Sequence, residues 1–175
     1  LVGKKISNNS WVQETIDRDK TNFLNIHNAK TINTLVSGFA TPIRGNENEA
    51  IGVLRGVLTV SQENALIKMI KSFKFGKNGY VFLVDSLGRP LAHPDFILTP
   101  DSFEDVNLMN LQPVQRSLAG ESGVVEYTFN NRKFTAAYRP IETTGWGLVV
   151  QQPTEDIILH IRKEVASLTY IYLGF

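Results

Sequence analysis

The stretch from Phe75 to Asp95, FGKNGYVFLVDSLGRPLAHPD, constrains this chain more than any other. Gly76 and Gly79 bracket a break, and Tyr80 to Val84 is an aromatic and β-branched run that favours a strand. Asp85-Ser86-Leu87-Gly88 then supplies turn chemistry before a second short strand from Arg89 to Ala92. The segment is a hairpin core.

Upstream, Ser10-Trp11-Val12-Gln13 fits a capping box and predicts a short helix from about Trp11 to Asp17. The Asn-rich residues 18–33 read as irregular structure with one edge strand around Phe23 to Ile26. Thr34 to Ile43 is a strand whose end or edge is marked by Pro42, which has no N–H to donate. After a polar turn at Asn46 to Glu49, Ala50 to Val60 returns as its antiparallel partner. Ser61 is suited to cap a helix carrying Leu66, Ile70 and Phe73 at helical spacing. Downstream, the turn-rich connection from His93 to about Leu111 is long enough to be a candidate functional loop. Pro113 and Gly120 frame a two-turn helix. Val124 to Phe129, an Asn130-Asn131 turn, Lys133 to Arg139 and Leu148 to Gln151 give three antiparallel strands. Pro153 opens a last helix with Glu155 and Asp156 in its first turn and an apolar face of Ile157, Ile161, Val165, Leu168 and Tyr172. This order spells an antiparallel α+β architecture. The second half holds a complete small sheet of PAS-like content. The first half has too few strands to close a sheet, and its own beginning is expected before Leu1.

Hydrophobic content of 42% with 20% charged residues describes a globular chain. The net charge of +1, without a basic block, gives no reason to expect nucleic acid as a partner. The absence of cysteine excludes disulfides, Cys-ligated zinc and thiol catalysis, and it is compatible with either side of a membrane. The chain opens at Leu1 without a Met or an apolar leader and is read as an excised fragment. The apolar run Ser167 to Phe175 is shorter than the ~20 residues of a membrane span and reads as the start of one. His27, His93 and His160 are too far apart in sequence to suggest a metal site, and no cofactor is expected. No Gly-x-Ser-x-Gly elbow occurs, and GKNGYVF runs into a strand rather than the helix a phosphate cradle needs. Asp85, Asp95, Asp101, Glu104 and Asp105 fit no calcium loop and are read as solvated charge. No catalytic residue is expected.

The order GYVFLVD, then LGRPLAHPD, resembles the signature of the double Cache family of extracellular sensor domains. The resemblance runs from about Ser10 to Pro153, through Trp11-Val12, Ala40-Thr41-Pro42-Ile43, Ile51-Gly52-Val53-Leu54 and Gly145-Trp146-Gly147. It implies PAS-like antiparallel modules flanked by helices, mounted on the extracellular or periplasmic side of a cell membrane between two transmembrane helices. A membrane-distal module of such a domain usually binds a small ligand and signals to a histidine kinase, chemoreceptor or cyclase. On this resemblance residues 1–66 are the remainder of the distal module and 67–152 the membrane-proximal one. Residues 153–175 form a helix leading to the membrane. The sensor domain itself is non-catalytic, and a homodimer is a candidate assembly.

The amino-acid-binding branch of that family carries Arg-x-Trp-Tyr and, on the strand matching Ile51 to Val60, an Asp that receives the ligand ammonium. Here Asn9-Ser10-Trp11-Val12 and Val57 occupy those places, so only the Trp is kept. An ammonium buried without a counter-charge is costly, and an α-amino acid is therefore not expected as ligand. Alternation sets Leu54, Leu58 and Val60 on one face of that strand and Arg55, Val57 and Thr59 on the other. If position 57 faces the pocket as in relatives, Arg55 does so too. The expected ligand-binding set is Trp11, Asn28, Ser37, Phe39, Arg55 and Val57. In it Arg55 grips a carboxylate, Trp11 and Phe39 form an apolar wall, and Asn28 and Ser37 act as polar guides. Two other readings stay open: Arg55 facing solvent on an edge strand, and a structural or dimerisation module with a vestigial pocket. A small hydrolase is the weaker alternative.

Overall fold

The computed structural model describes residues 9–30, 32–61, 63–159, 161, 162 and 165. The expectations placed on His160, on Leu168 and Tyr172, and on the run Ser167 to Phe175 lie outside the described residues. Among the described residues there are two antiparallel sheets. The first is a meander of β1 (Asn22–Ala29), β2 (Thr34–Arg44) and β3 (Ala50–Thr59), with β2 in the centre. The second has β4 (Lys74–Phe75), β5 (Gly79–Val84), β9 (Trp146–Pro153), β8 (Arg132–Ile141) and β7 (Gly123–Phe129) side by side, with β6 (Pro90–Ala92) also paired to β5. Helices α1 (Ser10–Arg18), α2 (Ala65–Ser72) and α3 (Gln112–Leu118) complete the described elements, and residues 154–159 are helical after β9.

Local chemistry accounts for most of these boundaries. Asn130 and Asn131 both have positive φ, 48° and 59°, the conformation a two-residue turn between β7 and β8 demands. Gly88, at φ 77°, closes the β5–β6 turn by donating its N–H to the Asp85 carbonyl at 2.9 Å. Three termini differ from the expectation. α2 is capped by Asn64, whose Oδ1 accepts from the Leu66 N–H at 2.9 Å, and not by Ser61. α1 begins at Ser10 itself with Asn9 as N-cap, so no Ser10 capping box forms there. Pro153 closes β9, opposite Phe134, and the helix starts one residue later.

The second sheet is covered on both faces. Val81 and Leu83, with Leu91, Ala92 and Trp146, pack against Ile67 and Ile70 of α2, against Ile26 and Leu35 of the first sheet, and against Val60 just past the end of β3. Phe82 and Val84 point the other way, with Val149, Ala136, Phe134 and Tyr138, and are covered by Val114 of α3 and by Leu108 and Leu111 of the long connection. Fully burying one such side chain stabilises by roughly 1.5–3 kcal/mol. One cluster therefore joins the two sheets, and burial of Ile26, Leu35 and Val60 holds the small first sheet against the larger one.

Candidate functional site

β2 and β3 pair Ala40 with Arg55, Gly38 with Val57 and Val36 with Thr59, and β1 sets His27 opposite Val36. Cross-strand partners point to the same side, so Arg55, Val57 and His27 share one face of the first sheet. α1 lies over that face, burying Val12 and Thr15, and the Thr15 hydroxyl donates to the Trp11 carbonyl at 2.7 Å. The Arg55 guanidinium sits 4.8 Å from the centroid of the Trp11 ring, a cation–π contact. Arg55 Nη2 lies 2.5 Å from His27 Nε2. A guanidinium only donates, so His27 accepts through Nε2 and its Nδ1–H donates to the Asn25 carbonyl at 2.8 Å. The imidazole is held neutral. Burial is the main cause that lowers its pKa, the Asn25 carbonyl pulls the other way, and the charges of Arg55 and Arg89 add to the lowering. The Arg55 Nε–H is buried without a partner. A half-buried guanidinium that has a neutral imidazole beside it and forms no ion pair among the described residues keeps its charge available to an anion.

Of the six residues expected in the ligand site, Trp11 and Arg55 are in contact and Val57 stands on the same face, 60% exposed. Ser37, Phe39 and Asn28 are on the opposite face, because the register pairs them with Leu58, Gly56 and Leu35. There Ser37 is buried and its hydroxyl donates to the Leu24 carbonyl at 2.7 Å. Phe39 lies over Gly56, where a Cβ would meet the ring at 2.4 Å, and its ring centroid is 6.4 Å from that of Phe23. Asn28 donates through Nδ2 to Asn33 Oδ1 at 3.2 Å, and its Oδ1 is buried without a partner. His27, which the sequence marks for no ligand site, joins Arg55 here. Its place beside Arg55 follows from strand register, which no local pattern displays.

The same strand fastens the two sheets together. Between Leu24 and His27 the β1–β2 register shifts, a bulge in which Asn25 and Ile26 oppose Ser37 alone. The bulge turns both residues toward the β5–β6 turn. Asn25 Oδ1 accepts from the Ser86 N–H at 3.2 Å and from the Ser86 hydroxyl at 2.7 Å. The Ile26 N–H donates to Asp85 Oδ2 at 3.0 Å. Asp85 is fully buried, which corrects its reading as a solvated loop charge. Its carboxylate also accepts from the Leu87 and Arg89 N–H groups at 3.0 and 2.9 Å and pairs with the Arg89 guanidinium at 3.1 Å. Five donors on one carboxylate explain why a charge is tolerated there.

This architecture, with its paired antiparallel modules and helices on their faces, has known counterparts. The family model described as Cache domain matches residues 3–160. The chain belongs to the Cache domain family. Among curated relatives, the methyl-accepting chemotaxis protein McpG of Pseudomonas putida is 34% identical over 76 residues, 43% of this chain and 11% of that protein. The chemotaxis protein PctB of Pseudomonas aeruginosa is 31% identical over 96 residues, 55% of this chain and 15% of that protein. The chain thus spans under a fifth of the length of these receptors. Among solved structures, the extracellular domain assigned to the histidine kinase mmHK1S-Z3 superposes with a TM-score of 0.72 at 17% identity, covering 90% of this chain and 58% of that one. The ligand-binding domain of PctB in complex with L-Arg superposes at 0.61 and 21% identity, covering 90% and 64%. That of the Pseudomonas fluorescens chemoreceptor CtaA with L-isoleucine gives 0.64 and 17%, covering 91% and 63%. Cache domains of chemoreceptors and histidine kinases are extracellular, non-catalytic parts of membrane receptors. Among the described residues of this chain no helix is long and apolar enough to cross a membrane.

Proposed function

We propose that this Cache domain is the extracellular ligand-sensing part of a transmembrane receptor and that it binds a small organic carboxylate on the α1 face of its first sheet. Residues 1–66 form the rest of the membrane-distal module, 67–152 the membrane-proximal module, and 153–175 the way back to the bilayer. The observation that carries the reading is the Arg55 guanidinium, stacked on Trp11 and partnered by a neutral imidazole in place of a carboxylate. A carboxylate reaching it gains charge-assisted hydrogen bonds of roughly 1.5–3 kcal/mol. Val57 supplies no counter-charge for an ammonium, so the ligand differs from the amino acids named for PctB and CtaA.

The signal leaves the site along β1. His27 holds Arg55 on one side and the Asn25 carbonyl on the other. Asn25 and Ile26 hold the Ser86 and Asp85 turn of the second module. A ligand that draws Arg55 away from His27 therefore acts on the strand that joins the modules. The exposed Ile158, Leu159 and Ile161 offer the surface by which two copies associate in the intact receptor.

Isothermal titration of mono- and dicarboxylates against wild type and Arg55→Ala tests the assignment. The expected result is binding that falls about ten- to a hundredfold in the variant, the equivalent of one charge-assisted pair. Unchanged affinity removes Arg55 from the site.

A further inference from the structure

We propose that the second module has an anion site of its own, a basic cavity that receives a phosphate group. The cavity has a volume of about 430 Å³ and opens at one end of the second sheet. The pairings Lys74–Tyr80 and Phe129–Arg132, with Tyr80 opposite Gln151, place its sheet residues on the face that α3 covers further along. Lys71 at the end of α2 and Lys77 in the β4–β5 turn close it from the sides. Four cationic side chains, Lys71, Lys74, Lys77 and Arg132, thus line one opening with one carboxylate, Asp95, while two more, Glu155 and Asp156, bond to the lining residues Arg132 and Asn78.

The cations differ in how far they are already engaged. Arg132 gives its Nε and Nη2 to Glu155 Oε1 at 3.0 and 2.5 Å. Lys74 and Lys77 form no ion pair among the described residues. Lys71 also acts outside the cavity lining: after burial, its charge is the further cause that pushes His93 down to about 3. On the other side, burial first and then Asp95 push the Tyr80 phenol up to about 12.

The residue types select the anion. Planar carboxylates are matched by the two-pronged arginine fork, and the only arginine on the lining has its Nε edge taken by Glu155. Lysine ammoniums are point charges that approach from independent directions, which suits a tetrahedral dianion with three terminal oxygens. Phe129, Phe134 and Tyr80 add an aromatic wall for the organic part of a phosphate ester. The Gly76-Lys77-Asn78-Gly79 turn has no helix behind it to act as a phosphate cradle, and side-chain ammoniums take that place. The shared chemistry is a phosphate monoester, from a soluble metabolite or from a lipid headgroup.

Titration of wild type and Lys74→Ala/Lys77→Ala with phenyl phosphate at low ionic strength tests the site, with sedimentation on vesicles of phosphatidic acid in phosphatidylcholine as a second arm. Saturable binding to wild type that weakens about tenfold or more in the double variant is expected, with the variant melting as wild type does. Phenyl phosphate binding assigns a soluble source, and vesicle binding alone assigns the lipid. Should the double variant misfold, Lys77→Glu, a single change in an exposed turn, must give the same loss. No binding in either arm, binding that survives these substitutions, or equally tight binding of benzoate overturns the proposal. Carboxylate binding at Arg55 is a separate measurement in the other module, so either site can fail without the other.

Discussion

Replacing Asp85 is the most severe single test of how the two modules are held together. Asp85→Ala removes the acceptor from the N–H groups of Ile26, Leu87 and Arg89 and from a guanidinium whose side chain is 14% exposed. Deleting one partner of a buried, hydrogen-bonded ion pair costs roughly 3–5 kcal/mol, because the remaining charge is left desolvated. Three stranded amides act in the same direction. Against a total of about 5–15 kcal/mol for a domain, this is a large share. At roughly 2 kcal/mol per M of urea it moves the midpoint down by about 2 M. Asp85→Asn keeps the shape but turns an NH₂ toward a donor, so a smaller loss is expected. The double-mutant cycle of Asp85→Ala with Arg89→Met isolates the ion pair, and a coupling above about 2 kcal/mol is expected. Amide exchange at Ile26 reads the junction directly and accelerates if the carboxylate is its only acceptor. An Asp85→Ala chain that loses less than about 1 kcal/mol refutes the reasoning.

His93 is buried against Phe96, Phe82 and Tyr80, with ring centroids 4.6, 5.0 and 5.3 Å away, and its Nδ1 accepts from the Asp95 N–H at 3.1 Å. Its pKa is pushed down to about 3, by burial first and then by Lys71, so the folded chain binds fewer protons than the unfolded one. Its contribution is complete above about pH 6.5 and falls by roughly 1.4 kcal/mol per unit as pH drops toward the folded value. Urea titrations at a series of pH values show this slope in wild type and lack it in His93→Phe; equal slopes contradict it. Gly38→Ala would bring a Cβ to 2.0 Å from the Gly56 carbonyl oxygen, backbone that moves only by opening β2 from β3. A loss of roughly 3 kcal/mol is expected in thermal melts. Gly52→Ala, whose nearest neighbour is the Ile43 side chain at 3.6 Å, stays within about 1 kcal/mol.

The strands legible in the sequence are those that carry their own local signal. β5 is an unbroken apolar run, and β7 and β8 are joined by two asparagines that accept positive φ. β1 is read as four residues where eight are present, because Asn22, Asn25, His27 and Asn28 give it little β character. Only Leu24 and Ile26 of β1 are buried, and the bulge after Leu24 breaks the alternation on which a strand is recognised. The reading of Ser61 as the cap of α2 misses by three residues, because Asn64, an equally good cap by residue type, stands directly before the first helical residue.

The candidate site shows the limit of single-strand periodicity. Alternation along β3 puts Arg55 and Val57 on one face without help from any neighbour. Which residues of β2 share that face is fixed by register, and register depends on the length of the connection and on the shift next to Arg44. The pairing of Ala40 with Arg55 sends every odd-numbered residue from Leu35 to Thr41 to the far side, Ser37 and Phe39 among them. A register one residue different would have put both beside Arg55 and withdrawn Ala40. Gly56 carries a trace of the actual arrangement: a strand glycine leaves space that an aromatic ring on the partner strand fills, and Phe39 is directly opposite it. Phe39 is thus fixed by the need to cover Gly56, and only residues on the other parity of β2 remain to meet a ligand at Arg55.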